Sequence, residues 1–220
     1  GIHQRFLGWS TNAAATSAQY VTGSTFAIKT NTTLYAVYTT GTSVIAKIGP
    51  AGGYIVYDNP NYATAGWRYL EAAPTDLPGT HPWNPGNEYT VNLTKEDIGT
   101  GPENTFRIVT VNGPGTYAAA MCTNYAVTNR GVRYANWFLP SRNELYTMYN
   151  AMRGTPGLMD DKRYWSSESY YWNNAYITLN SGDGYQSTST LLLVRPLRIV
   201  DTTLTFDTTP AVFSSGPAVV

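Results

Sequence analysis

A single cysteine, Cys122, stands in a chain of 220 residues, which excludes an internal disulfide, a thiolate metal cluster and a redox pair. Charge is scarce too. The 14 basic and 14 acidic side chains make up only 13% of the sequence and cancel to a net charge of zero, so no field exists to hold a phosphate backbone, and nucleic acid is excluded as a partner on that ground. No apolar run approaches the roughly 20 residues of a membrane span; Leu191 to Val194 reads as a short buried strand instead. Histidine occurs only as His3 and His81, and no serine or cysteine lies in a nucleophile elbow. A catalytic triad is therefore not expected, and no catalytic residue is assigned. Gly1 is not followed by a basic and then an apolar stretch, so any targeting segment is expected to have been removed.

What the chain does have is aromatic and hydroxyl surface. Aromatics reach 14%, with 18 Tyr and 6 Trp, and Thr, Ser, Asn and Gly fill much of the remainder, the composition of a neutral, β-rich protein. Lysine supplies only four of the 14 basic residues, a usage that favours an extracellular or cell-surface location.

Three segments differ in texture. Residues 1–43 are rich in Thr and Ala and alternate over Thr33 to Tyr38, where Leu34, Ala36 and Tyr38 are expected to share a face. Residues 44–200 carry most of the Trp, Pro and Gly, with turn signals at Gly52-Gly53, Asp58-Asn59-Pro60, Pro78-Gly79 and Gly182-Asp183-Gly184, and form the main domain. Residues 201–220 alternate at Leu204 and Phe206 and then dissolve into a Pro, Ser and Gly tail. Two helices are predicted in the middle segment. Ser141 and Glu144 have the spacing of a capping box, followed by Leu145, Met148, Tyr149 and Met152 on one face, with Gly154 as the stop. A second helix over about 116–127 is expected to bury some of Ala119, Met121, Cys122 and Tyr125, which makes Cys122 a core residue and not a reactive thiol.

Five motifs stand in order through the main domain: Ile48-Gly49-Pro50-Ala51-Gly52-Gly53-Tyr54-Ile55-Val56-Tyr57-Asp58; Ile98-Gly99-Thr100-Gly101 with Asn104-Thr105; Trp137-Phe138-Leu139-Pro140-Ser141-Arg142-Asn143-Glu144-Leu145; Tyr164-Trp165-Ser166-Ser167-Glu168; and Val194-Arg195-Pro196-Leu197-Arg198. Together they resemble the bacterial C-type-lectin-like domains named for the C-terminal domain of a Legionella collagen-like protein, with the Fibrobacter succinogenes major paralogous domain as a relative. The resemblance implies an α+β C-type-lectin-like domain with two helices and short antiparallel sheets. Within it, residues 194–200 are expected to pair near 54–57. Trp137, Pro140, Glu144, Trp165, Arg195 and Arg198 are read as scaffold, with Trp137 and Trp165 as core anchors. Arg195 and Arg198, read as lying on one side of a common strand, are expected to tie loops through carboxylates or carbonyls. The fold also hosts formylglycine-generating oxidases, which need reactive cysteines; Cys122 argues against that branch.

The flanks resemble something else. Phe6 to Thr11 followed by Asn31 to Tyr38 is similar to the back half of a Listeria-Bacteroides (internalin B-type) repeat, a β-grasp-like half-repeat, and Thr202 to Thr208 is similar to its missing front strand. Terminal strands that complete one repeat, within a chain or between chains, imply self-association by strand addition.

Glu96-Asp97 and Asp160-Asp161 are neighbours in sequence and do not suggest the opposed carboxylates of a glycosidase. No cofactor is assigned. Calcium is the one worth weighing, because Trp172-Asn173-Asn174 sits where animal C-type lectins carry Trp-Asn-Asp, but the acid is missing and Gly101-Pro102-Glu103-Asn104 has the wrong order for the partner loop; no metal ligand is named. Surface recognition remains. Tyr170, Tyr171, Trp172, Asn173, Asn174, Tyr185 and Gln186 combine rigid amphipathic area with adaptable hydrogen bonding, the chemistry of a paratope or of sugar stacking. The sequence therefore reads as a non-enzymatic surface adhesin or ligand-binding module for a glycan or protein. The alternatives are a fimbrial or filament subunit joined by strand complementation, or a phage receptor-binding protein.

Overall fold

A computed structural model describes residues 2–15, 18–20, 25, 31–42, 44–86, 94–153, 159, 162–170, 174–179 and 182–200. The terminal strand expected at 202–208 and the acidic pair Asp160-Asp161 lie outside them. The chain divides into two units, Gly1–Val44 and Ile45–Val220. The described elements are α+β: four helices and small antiparallel sheets of two or three strands.

In the first unit, β1 (Ile2–Ser10) pairs antiparallel with β2 (Tyr35–Thr42), both runs being rich in residues that fit a pleated surface. The register slips between Phe6 and Gly8, and Trp9 then exchanges main-chain hydrogen bonds with Tyr20. Among the described side chains of β2, Val37 is buried and Tyr35 and Ala36 are exposed. At Ala36 and Val37 the strand thus buries the residue opposite to the one the alternation marks.

The second unit is organised round β4 (Tyr69–Ala72), all four of whose side chains are buried. It is the central strand of a three-stranded sheet, with β3 (Tyr54–Asp58) on one side and β10 (Leu197–Val200) on the other. The two ends of the domain thus meet in one sheet, but through β4 and not by direct pairing. Between β3 and β4 lies a single turn of helix, α1 (Tyr62–Ala65). Next come α2 (Gly101–Asn112), α3 (Ala118–Asn124), the short hairpin of β5 (Val127–Asn129) and β6 (Val132–Tyr134), and α4 (Arg142–Met152). A second three-stranded sheet is built from β7 (Tyr164–Tyr170), β8 (Asn174–Leu179) and β9 (Gly182–Ser187).

The two predicted helices are α3 and α4, and α1 and α2 add two more. Ser141 caps α4 as its sequence implies, and Leu145, Met148, Tyr149 and Met152 are its buried face. In α3 the buried residues are Ala118, Ala119, Ala120 and Cys122; Met121 and Tyr125 are half-buried. Leu191 to Val194 is not a strand. Leu191 is 58% exposed, and the segment makes only single bridges, from Leu192 to His81 and from Leu193 to Tyr164.

Large aromatic side chains fill the core and also serve the main chain. Trp83, Trp137 and Trp165 are buried, and their indole N–H groups donate to the carbonyls of Ser166, Tyr134 and His81 at 2.8, 3.1 and 2.8 Å. Trp83, in the Pro-rich 82–85 loop, is an anchor that the motif reading did not single out.

Two buried glutamates fasten the loops. Glu71, on β4, accepts from the amides of Ala51 and Gly53 at 2.9 and 3.1 Å and pairs with Arg198 at 3.0 Å. A Cβ at Gly49 would stand 2.5 Å from this carboxylate, so only glycine lets the 49–53 turn wrap it. Burial pushes the Glu71 carboxyl up, opposed by Arg198 and the two amides. Arg198 also lies over the rings of Tyr134 and Trp137, 4.9 and 5.7 Å from their centroids.

Glu144 completes the capping box: its carboxylate accepts from Ser141 N at 2.7 Å, while Ser141 Oγ accepts from Glu144 N at 3.3 Å. It also accepts from Gly99 N at 2.8 Å, and a Cβ at Gly101 would press within 2.3 Å of its Oε2. Burial pushes its pKa up to about 7 against these hydrogen bonds.

Arg195 and Arg198 are three residues apart, and Arg195 precedes the strand, so they do not share a side. Arg195 reaches Ala73 O, Pro74 O and Asp76 at 2.7–3.1 Å, whereas Arg198 reaches Glu71.

Two outcomes follow from these charges. Arg198→Met leaves Glu71 buried and unpaired and is expected to lower the unfolding free energy by about 3–5 kcal/mol, with much of it recovered in the Glu71→Gln/Arg198→Met double variant. Urea denaturation measures both, and a single-variant loss below about 1 kcal/mol would put the pair with weak surface bridges. For Glu144, a folded pKa of about 7 against an ordinary 4.5 means that the folded state holds the extra proton between these values. Its contribution is fully present below pH 4.5 and lost as the pH rises through 7, a change of about 3 kcal/mol. The stability difference between the wild type and Glu144→Gln should therefore shift by that amount from pH 4.5 to 7.5; a flat difference contradicts the assignment.

Candidate functional site

The β7–β9 sheet has two unlike faces because successive side chains alternate. Register sets Tyr170 opposite Asn174 and Asn174 opposite Ser187, and Tyr185 lies two residues from Ser187, so these four share a face. The other face carries Ala175, which is fully buried in the core with Trp165. The same sheet is thus buried in the core on one side and carries exposed side chains on the other.

On the outer face Tyr170 and Tyr185 stack, with ring centroids 4.5 Å apart and planes inclined by 23°. They remain 37% and 55% exposed. Asn174 between them is half-buried. Ser187 and Ser189 extend the surface with hydroxyls 2.9 Å apart, and residues 184–194 carry no charge. The result is a flat aromatic platform edged by amide and hydroxyl groups, suited to stacking on a ligand's apolar face while hydrogen-bonding its rim.

Tyr170, Asn174 and Tyr185, of the residues predicted to bind a ligand, are brought together. Gln186 is not: it is the neighbour of Tyr185 along β9, pairs with Ala175 and falls on the opposite face. Tyr171, Trp172 and Asn173 lie outside the described residues. The sequence reading passed over Ser187, whose two-residue spacing from Tyr185 was the available signal.

Loop contacts hold the platform from behind. The register of β7 breaks between Trp165 and Ser169, and side chains fill the break. Asn104 Nδ2 donates to Ser167 Oγ at 3.0 Å, Ser169 N donates to Thr94 Oγ1 at 2.7 Å, and Ser167 N donates to the carbonyl of buried Pro140 at 2.6 Å.

Elsewhere several reactive side chains among the described residues are engaged structurally. The ring nitrogens of His81 lie 3.1 and 3.0 Å from the carbonyl oxygens of Thr116 and Pro78. Cys122 is buried, and burial pushes its thiol up, away from the reactive thiolate. Glu96 pairs with Arg142, and Glu103 with Arg107 and Lys95, which hold the exposed Glu103 carboxyl below its ordinary range. Among the described residues no three His, Cys, Asp or Glu side chains gather as a metal site, and no helix is long and apolar enough to cross a membrane.

A scan against protein-family models finds no match, and a search of curated proteins finds none either.

Proposed function

We propose that the chain is a non-enzymatic ligand-recognition module of a bacterial surface protein, with a C-type-lectin-like body that presents the β7–β9 platform to a glycan or a protein. The observation that carries this reading is the exposed Tyr170–Tyr185 stack on the outer face of a sheet whose inner face is buried. Two large rings kept at the surface, with no charge over residues 184–194, are costly to leave in water unless something covers them.

The lectin-like body is supported by the places its five motifs take. The first wraps Glu71 and the second wraps Glu144. The third caps α4, the fourth begins the sheet that bears the platform, and the fifth returns the chain to β4. Recognition on this platform needs no calcium, because its groups are aromatic, amide and hydroxyl.

Tyr185→Ala is expected to weaken binding about 30-fold, the effect of losing about 2 kcal/mol at the centre of an interface, with the thermal midpoint unchanged and binding intact in a calcium chelator. A glycan array and a surface-protein array screened with both forms test this. Binding that survives both Tyr185→Ala and Tyr170→Ala excludes the platform.

A further inference from the structure

The outward face of α2 is apolar at its centre. Phe106 is 70% exposed, more than any other large hydrophobic side chain among the described residues, and it borders a groove of about 610 Å³ that Pro102, Val109, Phe138 and Ile199 also line. An apolar surface with a polar rim marks a contact, and here the rim is charged. Glu103 pairs with Arg107 at 2.6 Å and with Lys95 at 3.1 Å, and the Glu103 and Arg107 side chains are still 43% and 36% exposed.

Helical spacing orders these groups round α2. At 3.6 residues per turn, Glu103 and Arg107 lie about 60° and 100° round the helix from Phe106 on one side, and Pro102 and Val109 about 40° and 60° round it on the other. The face thus carries three strips, an acid and base row, the Phe106 ring, and the apolar groove. It stands apart from the β7–β9 platform, because Asn104, on the opposite side of α2, donates to Ser167 of β7.

The order of charge along the row selects what covers it. An acid followed one turn later by a base is complementary to the same pair run backwards, and offers no net attraction to a partner of one charge sign. A second copy laid antiparallel, with the twofold axis at the level of Thr105, sets Glu103 of each copy level with Arg107 of the other. The same operation keeps each strip on its own flank, so groove meets groove. It also brings the two Phe106 side chains to within about 3 Å of each other along the helix direction, where each lies over the other copy's groove. A parallel copy would set like charges level and lose both pairings.

We propose that α2 is the contact of a twofold homodimer, in which the two Phe106 rings and the facing grooves form an apolar centre and two reciprocal Glu103–Arg107 pairs close one side. The helix has 12 residues and a length of about 18 Å, so the contact is small and the dimer is of the reversible kind.

Sedimentation equilibrium of the full chain over about 5–500 µM, the range of a small reversible interface, tests this and is expected to show exchange between monomer and dimer. Phe106→Asp should be monomeric throughout. Val111→Asp, also at an exposed position of α2 but about 140° round the helix from Phe106, should dimerise as the wild type does. Glu103→Arg and Arg107→Glu should each stay monomeric alone and form a heterodimer when mixed, since one variant then brings two bases and the other two acids; a variant that had merely lost its fold would not be restored by mixing. A wild type that is monomeric at every concentration overturns the proposal. So does a dimer that persists in Phe106→Asp, a charge variant that dimerises alone, or a pair of charge variants that mixing does not restore.

Discussion

The structure depends on amide groups of irregular chain donating to buried carboxylates. Where loops pass under other loops, their N–H groups have no ladder to join, and each one left unsatisfied in the interior costs on the order of 1–3 kcal/mol. Glu71 and Glu144 solve the problem at two points: Glu71 accepts from the distant amides of Ala51 and Gly53, and Glu144 from the distant amide of Gly99 as well as from its own cap residue Ser141. A carboxylate has two oxygens and several lone pairs, so one side chain satisfies several donors at once. The geometry demands close approach, and glycine stands where it occurs, at Gly49 against Glu71 and at Gly101 against Glu144. The two Gly-bearing motifs are the grips, and the two glutamates are what they hold.

The cationic side chains work in the opposite sense. Arg195 supplies donors to the carbonyls of Ala73 and Pro74, and the three buried indoles supply donors to three further carbonyls. Acceptors of one loop and donors of another are thus both served by side chains, in a domain whose longest described sheet has only three strands. This internal wiring fixes β7 from behind and lets its outer face be decided by something other than packing.

Legibility in the sequence followed locality. α4 was readable because Ser141 and Glu144 act within one turn and four apolar residues follow at helical spacing. α2 was not: it opens on Gly-Pro, its buried stripe at 101, 104, 105 and 108 is mostly small or polar, and its Phe106 and Val111 are exposed, so apolar residues do not mark its inner face. Tyr170, Asn174 and Tyr185 were singled out by residue type alone, and the strand register sets them on one face. Gln186 falls on the other face from Tyr185 for a local reason, since neighbours on a strand face opposite ways. The burial of Val37 in place of Ala36 depends on which face of β2 is covered, and the meeting of β3 and β10 depends on β4. Both are long-range facts that no window of sequence contains. Glu71, a lone acid between Leu70 and Ala72, was the one long-range signal open to reading, as an acid in a buried strand needs a partner.

A sheet that is sealed on one face and open on the other separates two kinds of inheritance. Changes at Ala175 or Trp165 are felt through the core, whereas Tyr170, Tyr185 and Ser187 are exposed and a change there is felt mainly at the surface. The sealed face ties its residues to the fold, while the exposed face leaves its residues room to vary without disturbing the core behind them.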